Sequence, residues 1–449
     1  MKLILALTAL CSLLFFNACT NVSPTTQSAT SSTELSWNYN MLSRVWLYAN
    51  KLEPIATYQG KGQDTGKYTD VSNMYSLTAS TDRFTRYFTP SQAALVLSEY
   101  MGNDQVAIIG IYLGYTNTDT SAIDDTMMIT RVVPASPADN AGLHKGDRII
   151  RINGIDVTDS NLAKYSSLTT GGVGTSYKIT VLRPSTDTTI PLDTITASVT
   201  KKLLVTPTVW TDTVQSVPVV QVEMFASAEA GGLGGSDAEF KKALSSLGTY
   251  TVAIIDLRGN PGGSVDQCLA MADDLLGKGV AIYELSRYWD STAHVTRIDT
   301  TADSLTAGSP YENHHYVFLQ DSGSASCSEI MLSAINNNSS FPLVGTYTYG
   351  KGIAQNIWNT PAGGLAVIST TEFRDAAWQN YHHVGIKPTY FVLDPDSQMS
   401  TAIRLASEYL PTKTALARRG ITSDDAIARI NANLGTRSKD LPGAWRLMK

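Results

Sequence analysis

A chain of 449 residues is longer than one ordinary domain, so we expect two or three folding units. Hydrophobic residues make up 43% and charged residues 16%, which supports sizeable buried cores and excludes a disordered polymer. The net charge of −6 and the absence of a basic run argue against a nucleic-acid-binding protein.

The N-terminus has the pattern of an export signal. Lys2 precedes an apolar run that is too short for an ordinary spanning helix, and small residues follow it up to Ala18 and Cys19. This ending resembles a bacterial lipoprotein signal, which implies an exported protein of the periplasm or cell envelope, anchored to a membrane by lipid on Cys19. Plain secretion without lipidation is the alternative. Residues 1–19 are thus predicted to be the signal, and the Ser/Thr-rich residues 20–36 a flexible tether.

Residues 37–104 are predicted to form a small helical region. Apolar residues recur with helical spacing from Trp37 to Leu52. Pro90 then predicts the start of another helix, over residues 91–101.

The pattern changes to β-strands in residues 105–202. Two strand-like runs, 107–115 and 127–133, precede a Ser136 that is suited to cap a short helix beginning at Pro137. The stretch SPADNAGLHKGDRIIRING that starts at Ser136 resembles the signature of a PDZ domain.

The PDZ resemblance implies a peptide-binding groove. An extended peptide would add as a β-strand, and backbone N–H groups of Ile109, Gly110 and Ile111 would hold its terminal carboxylate. A β-rich spacer without a ligand is the alternative.

Residues 203–411 alternate between strand and helix patterns, and a nearly continuous apolar run at 252–257 is typical of a central strand covered on both faces. Repeated βα units predict an α/β domain with its site in the loops at strand ends. The predicted elements are strands at 219–225, 252–257 and 316–319 and helices at 238–247 and 264–276. Residues 412–449 have helical patches but no motif that indicates a function.

The segment DLRGNPGG, residues 256–263, places glycines where a strand turns into a helix. Exposed N–H groups at such a helix N-terminus can bind an anion or a developing oxyanion. Neither of the common phosphate-binding glycine patterns is present, and a simple tight turn is the alternative.

A second cluster contains SASCSE, residues 324–329, followed by YGKG, residues 349–352. With DLRGNPGG, these motifs resemble the carboxyl-terminal processing peptidases, tail-specific serine proteases with a PDZ domain, over residues 81–410. The resemblance implies that Ser326 is the nucleophile and Lys351 its base, and that Gln355 orients Lys351. A helix starting at Lys351 would put Gln355 on the same face.

This chemistry requires a neutral lysine. A free lysine has a pKa of roughly 10.4, and burial can lower it by about 3 to 5 units. Apolar neighbours such as Tyr347 and Tyr349 could bury it. The N–H of Cys327 and that of Gly262 or Gly263 would then hold the oxyanion. As alternatives, Ser326 caps a helix together with Glu329, and Lys351 is a solvated loop charge.

Other site types are less favoured. No Cys or His cluster suggests a metal, and no cofactor is expected. Cys268 and Cys327 could form a disulfide, but two buried thiols are the favoured interpretation. The six histidines lie in no motif that would support a Ser/His/Asp triad, and surface or packing roles are expected for them.

Three positions depart from the family pattern. Asn337 stands where an acidic residue is frequent, Thr389 where aspartate is usual, and Thr85 where serine is usual. The sequence therefore predicts an α/β protease domain with an inserted PDZ domain and a helical N-terminal region. Its substrates would be exported proteins with unstructured, free C-termini, and an adaptor or oligomer is left open. A non-catalytic peptide- or ligand-binding lipoprotein on the same fold is the alternative.

Overall fold

The computed structural model describes residues 31–60, 68–93, 96, 106–116, 126–157, 171–183, 193–227, 234–248, 250–409 and 446–447. The chain divides into two compact units, one formed by residues 1–103 with 208–410, the other by 104–207 with 411–449. The predicted signal with Cys19 lies outside the described residues, as do the tether up to residue 30 and most of the C-terminal segment. Within the described chain, no helix is long and apolar enough to cross a membrane.

The first unit begins with helices that pack on a five-stranded sheet. Its first helix starts at Ser31, so the end of the predicted tether, residues 31–36, is helical instead. Glu34 explains the early start, because its buried carboxylate accepts hydrogen bonds from the Tyr87 hydroxyl (2.9 Å) and the Ala362 N–H (2.8 Å). The elements are α1 (Ser31–Val45), 3-10 turns at Ala49–Lys51 and Ile55–Thr57, α2 (Thr69–Thr78) and β1 (Arg86–Phe88). Residues 90–93 and 96 are helical, within the helix predicted there.

A six-stranded sheet forms the centre of this unit, and all of its neighbouring strands are parallel except the first pair. The sheet order is β10 (Val209–Val214), β11 (Val217–Val222), β12 (Val252–Asp256), β15 (His315–Gln320), β16 (Leu343–Gly345) and β19 (Tyr390–Phe391). The helices are α4 (Gly235–Ser246), α5 (Val265–Leu275), α6 (Cys327–Asn338) and α7 (Pro395–Ser407).

The apolar run of β12 is buried on both faces, as the sequence predicts. Ala253 and Ile255 join the core that contains α5 and α6, while Val252 and Ile254 join the core beneath α7. The first core also takes in Phe225, Phe240 and Phe318, and it supports the loops that leave the sheet.

The five-stranded sheet completes the first unit with long antiparallel strands. In sheet order they are β1, β18 (Leu365–Asp375), β13 (Gly279–Asp290) and β14 (Val295–Leu305), with β17 (Ile353–Asn359) also paired to β18. Ala366 and Ile368 of β18 pack against α1 and α2.

In its described residues, the second unit is a strand-rich fold with one short helix and its own core. Ser136 caps that helix as predicted, since its hydroxyl accepts a hydrogen bond from the Asp139 N–H at 3.1 Å. The elements are β2 (Val106–Ile108), β3 (Ile111–Thr116), β4 (Thr126–Val132), α3 (Pro137–Asn140), β5 (Arg148–Ile152), β6 (Ile155–Asp156), β7 (Ser176–Arg183), β8 (Asp193–Thr200), β9 (Lys202–Leu204) and β20 (Arg446–Leu447).

One strand of this unit comes from the far end of the chain. Arg446 lies opposite Leu113 and Leu447 opposite Tyr112, antiparallel to β3. At these two residues the helical prediction for 412–449 is wrong, because β3 offers an edge that an extended segment can join.

Candidate active site

Three loops meet at the carboxyl edge of the parallel strands, which is where sites form in open α/β sheets. The loops are residues 257–264, 321–326 and 346–352. Backbone hydrogen bonds join them: Ala325 N–H donates to the Asn260 carbonyl at 2.9 Å, and Tyr349 N–H donates to the Ser324 carbonyl at 3.0 Å. The glycine-rich, serine-rich and lysine motifs of the sequence are thereby brought together.

Ser326 stands at the start of α6 with an unusual backbone. Its φ of 56° and ψ of −112° are values that favour glycine. Its side chain is 2% exposed, and its hydroxyl has no hydrogen-bond partner among the described residues. Ser326 and Glu329 have the arrangement of a capping box, in which the Glu329 carboxylate accepts from the Ser326 N–H, but no side-chain hydrogen bond from the Ser326 hydroxyl closes the helix end. A buried, unpaired hydroxyl on a strained backbone is typical of a functional group.

Glu329 joins the predicted nucleophile to the predicted base. Its Oε2 accepts hydrogen bonds from the backbone N–H groups of Ser326 (2.9 Å) and Lys351 (2.7 Å). Its Oε1 accepts from the Gly350 N–H and the Thr348 hydroxyl, both at 2.6 Å. Because one oxygen binds both amides, the nitrogens of Ser326 and Lys351 lie at most about 5.6 Å apart, the sum of the two bond lengths.

Sequence reasoning considered Glu329 only as a helix-capping residue and missed this connecting role. The carboxylate is fully buried, and burial raises the pKa of Glu329. Hydrogen bonds to Thr348, Lys351, Gly350 and Ser326 oppose that rise because they stabilise the ionised form.

Lys351 is 3% exposed, so it is not a solvated loop charge. Its Nζ lies 4.9 Å from the centroid of the Phe84 ring, which covers the amine with apolar surface. The sequence prediction named Tyr347 among the burying residues, but that side chain is exposed. Phe84 was missed because it lies far away in the chain, in the TDRFTRYF segment.

His382 contacts the backbone on both sides of Lys351. Its Nδ1 accepts a hydrogen bond from the Gly352 N–H at 3.2 Å and lies 3.2 Å from the Gly350 carbonyl oxygen. Burial, and to a smaller extent the charge of neighbouring His383, lower the pKa of His382 to about 4. A neutral ring thus packs beside the lysine loop, which is the kind of packing role expected for the histidines.

Gln355 lies in β17, so the helix predicted from Lys351 is wrong. The reason is pairing with β18, in which Gln355 stands opposite Ser369. The buried Gln355 side chain donates from Nε2 to the Ser369 hydroxyl at 3.1 Å. The Ser369 N–H in turn donates to the Thr85 hydroxyl at 3.0 Å, and that hydroxyl donates to Asp82 at 2.6 Å.

The two candidate oxyanion glycines differ. Gly262 N–H already donates to the Asn260 side chain at 2.8 Å, which removes it as an available donor. The N–H groups of Gly263 and Cys327 have no partner among the described residues. Gly263 has a φ of 143°, and a Cβ there would lie 2.1 Å from the Phe225 carbonyl oxygen, so only glycine fits.

The two cysteines form a disulfide, which corrects the favoured interpretation of two buried thiols. Cys268 of α5 and Cys327 of α6 have Cα atoms 5.9 Å apart and an S–S distance of 2.05 Å. Helices α5 and α6 pack side by side in one core, which brings together residues that are 59 positions apart. No group of three or more His, Cys, Asp or Glu suited to a metal occurs within the described ranges.

Comparison with known families identifies both units. Residues 216–392 match the model of peptidase family S41, and residues 128–183 match that of the PDZ domain. The chain thus contains one segment that matches peptidase family S41 and another that matches the PDZ domain. The predicted relationship to carboxyl-terminal processing peptidases and the predicted fold class are thereby confirmed.

Sequence similarity to individual proteins points to the same family. The chain is 27% identical over 275 residues to the carboxy-terminal processing protease CtpA of Bacillus subtilis, covering 61% of this chain and 54% of that protein. It is 26% identical over 314 residues to the carboxyl-terminal-processing protease of a Picosynechococcus species, covering 68% and 69%. The chain thus spans about half to two thirds of the length of these curated relatives.

A solved structure agrees with the fold. A Bacteroides fragilis protein described as an S41 protease aligns over 90% of this chain and 97% of its own, with 17% identity and a TM-score of 0.53.

The positions that depart from the family pattern have defined contacts in the first unit. Thr85 keeps a hydroxyl that bonds Asp82, as serine could. The Thr389 hydroxyl accepts a hydrogen bond from the Leu343 N–H at 3.2 Å. Asn337 lies about 16 Å along α6 from Ser326 and donates to Asp375 at 3.4 Å. An acidic residue at 337 would face the Asp375 carboxylate.

In the PDZ domain, the predicted carboxylate-binding residues form the turn before β3. The carbonyl of Ile109 accepts from Ala138 N–H and that of Gly110 from Val133 N–H, both at 2.9 Å. Gly110 has a φ of 89°, and a Cβ there would lie 2.2 Å from the Ser136 side chain. The turn is thus held tightly against α3. Ile111 begins β3, the strand that β20 joins.

Proposed function

We propose that the chain is a serine endopeptidase in which Ser326 is the nucleophile and Lys351 the general base. The observation that carries the proposal is the Glu329 carboxylate, which binds the backbone of both residues while the Ser326 hydroxyl stays buried and unpaired among the described residues. A serine needs an adjacent base, and a buried lysine can serve when it is neutral.

The reaction would proceed by acyl transfer. Lys351 takes the proton from Ser326 as its oxygen attacks the peptide carbonyl, and the N–H groups of Gly263 and Cys327 stabilise the oxyanion. Lys351 then gives the proton to the leaving amine. Water activated by the same lysine hydrolyses the acyl-enzyme and releases Ser326. Gln355 supports the strand that follows the lysine through its bond to Ser369.

The proposed substrates are extended C-terminal tails of exported proteins. Strand addition to β3 supports this, because β20 occupies that edge as an antiparallel strand directed toward Ile111 and the Ile109–Gly110 turn. The proposed location is the cell envelope, with a lipid anchor on Cys19. The Cys268–Cys327 disulfide supports export, because structural disulfides are typical of oxidising compartments.

Cleavage of casein by the purified full chain tests the proposed activity. Ser326→Ala and Lys351→Ala are expected to abolish cleavage without loss of the fold, as judged by circular dichroism. The exposed neighbours Ser322→Ala and Lys387→Ala serve as matched controls and should cleave normally.

Labelling with a fluorophosphonate probe, which reacts with activated serines, provides a second readout at Ser326. Full cleavage by either active-site variant would refute the catalytic pair. If the wild-type chain neither cleaves nor is labelled across several pH values, the binding-protein alternative is favoured.

A further inference from the structure

The disulfide lies directly beside the predicted nucleophile. Cys327 is the residue after Ser326, and its backbone N–H is a candidate oxyanion donor. Cys268 lies in the first turn of α5, which begins two residues after Gly263, the other candidate donor. One covalent bond therefore connects the two segments that would hold the oxyanion.

Hydrogen bonds alone secure only part of this junction. The Ser324 hydroxyl donates to the Leu257 carbonyl at 2.8 Å, and the Ser328 hydroxyl donates to the Asn260 carbonyl at 3.0 Å. These bonds tie the nucleophile segment to residues before Gly262. Among the described residues, no hydrogen bond of this kind joins the nucleophile segment to Gly263 itself.

The disulfide connects the nucleophile segment to the residues that follow Gly263. The Cys327 sulfur lies 3.0 Å from the Ser264 carbonyl oxygen and is bonded to Cys268 one turn later. Both cysteines are fully buried in the core between α5 and α6. The Phe225 backbone holds Gly263 from the other side, through hydrogen bonds to Gly262 and Ser264, and on the side of Ser326 its position depends on this bond and on the apolar packing around it.

We propose that Cys268 and Cys327 are positioning residues, whose disulfide sets the spacing of the oxyanion donors and makes full turnover depend on the oxidised state. The inference rests on the proposed peptidase function. Reduction by a dithiol would add two electrons and two protons, giving two thiols and the oxidised cyclic disulfide of the reductant. The α5 segment would then be held by packing, by the hydrogen bonds of Gly262 and Ser264 to the Phe225 backbone, and by the bond from Asp237 N–H to the Gln267 side chain.

The main test is the Cys268→Ala variant, which removes the bridge and leaves residue 327 unchanged. A displacement of about 1 Å in a catalytic group can cost on the order of 100-fold in rate, so kcat is expected to fall roughly 10- to 100-fold, with KM changed less than about threefold. The assay uses casein cleavage at a temperature where circular dichroism shows both proteins folded. A merely structural bridge would lower the unfolding midpoint and leave kcat unchanged, which would overturn the inference.

Reduction of the wild-type chain keeps the test decisive if the variant fails to fold. Native protein is incubated with dithiothreitol while free thiols and kcat are followed together. We expect kcat to fall as two thiols appear and to recover on reoxidation, while folded Cys268→Ala, where obtained, does not respond. Unchanged kcat with two thiols free would overturn the inference and leave the peptidase intact. An oxidised chain that never cleaves would overturn both.

Discussion

Replacing Glu329 with glutamine tests the connection between Ser326 and Lys351 most directly. The carboxylate accepts two hydrogen bonds at each oxygen, from Ser326 and Lys351 on one side and from Gly350 and Thr348 on the other. A glutamine amide has one acceptor oxygen, and its NH₂ group can only donate. It can therefore accept the hydrogen bonds of only one of these two pairs of donors.

The cost follows from which donors lose their acceptor. With the amide oxygen toward Ser326 and Lys351, the NH₂ group faces Thr348 and Gly350. The Thr348 hydroxyl can rotate to accept, but the Gly350 N–H is left unpaired in a buried site. One unsatisfied buried donor costs about 1–3 kcal/mol, and we expect a loss of stability of that size.

The loss of activity should be larger than the loss of stability suggests. The loop that carries Lys351 would shift to relieve the unpaired N–H, and a shift of about 1 Å can lower kcat on the order of 100-fold. The assay compares kcat and KM for casein cleavage with the urea midpoint of unfolding. Glu329→Gln with wild-type kcat would refute the role given to this carboxylate.

Glu239→Gln is the matched control. The Glu239 carboxylate also accepts several bonds from one oxygen, from Thr208 N–H (2.6 Å), the Thr208 hydroxyl (3.0 Å) and Val209 N–H (2.9 Å). These contacts belong to the start of β10 and are not part of the three site loops. The same substitution there should lower stability and leave kcat unchanged.

The remaining predictions concern His382 and Gly263. Burial lowers the pKa of His382 to about 4 from its ordinary 6.5. As the pH falls, the unfolded chain therefore binds this proton before the folded chain does, and stability is lost between pH 6.5 and pH 4. His382→Asn keeps an acceptor for Gly352 N–H but no titrating ring, so its urea midpoint should fall less than that of wild type over this range; an identical fall would contradict the assignment. The ring is partly exposed, so solvent screens the effect. Gly263→Ala would force a Cβ against the Phe225 carbonyl and should reduce both the thermal midpoint and casein cleavage, whereas Gly277→Ala, with no atom within 4 Å of the new Cβ, should change neither; normal cleavage by Gly263→Ala would argue against a tightly held donor.

The buried strands and the local motifs could be predicted from the sequence because their signals are local. The run at 252–257 is apolar except for Asp256, since β12 has a core on each face. The three site motifs lie at strand ends, where parallel strands bring their loops to one edge.

Other features depend on distant partners and could not be predicted in this way. Gln355 lies in a strand because β18 pairs with it, and a separation of four residues from Lys351 fits one helix face as readily as one strand face. Phe84 reaches Lys351 from a segment that precedes it by more than half of the chain. The pairing of Cys268 with Cys327 required the packing of α5 on α6.

The backbone of Ser326 has a consequence for how such a site can change over time. A φ of 56° with a ψ of −112° belongs to a conformation that glycine adopts freely and other residues adopt at a cost of about 1–3 kcal/mol. Stability is thereby lost in favour of function, because the strain comes from the same serine side chain that is proposed to carry out the chemistry. The packed helix, the Glu329 hydrogen bonds and the disulfide around Ser326 together offset it. Replacing Ser326 with glycine would therefore relieve the strain in the fold, so the presence of serine at this position favours the proposed catalytic role.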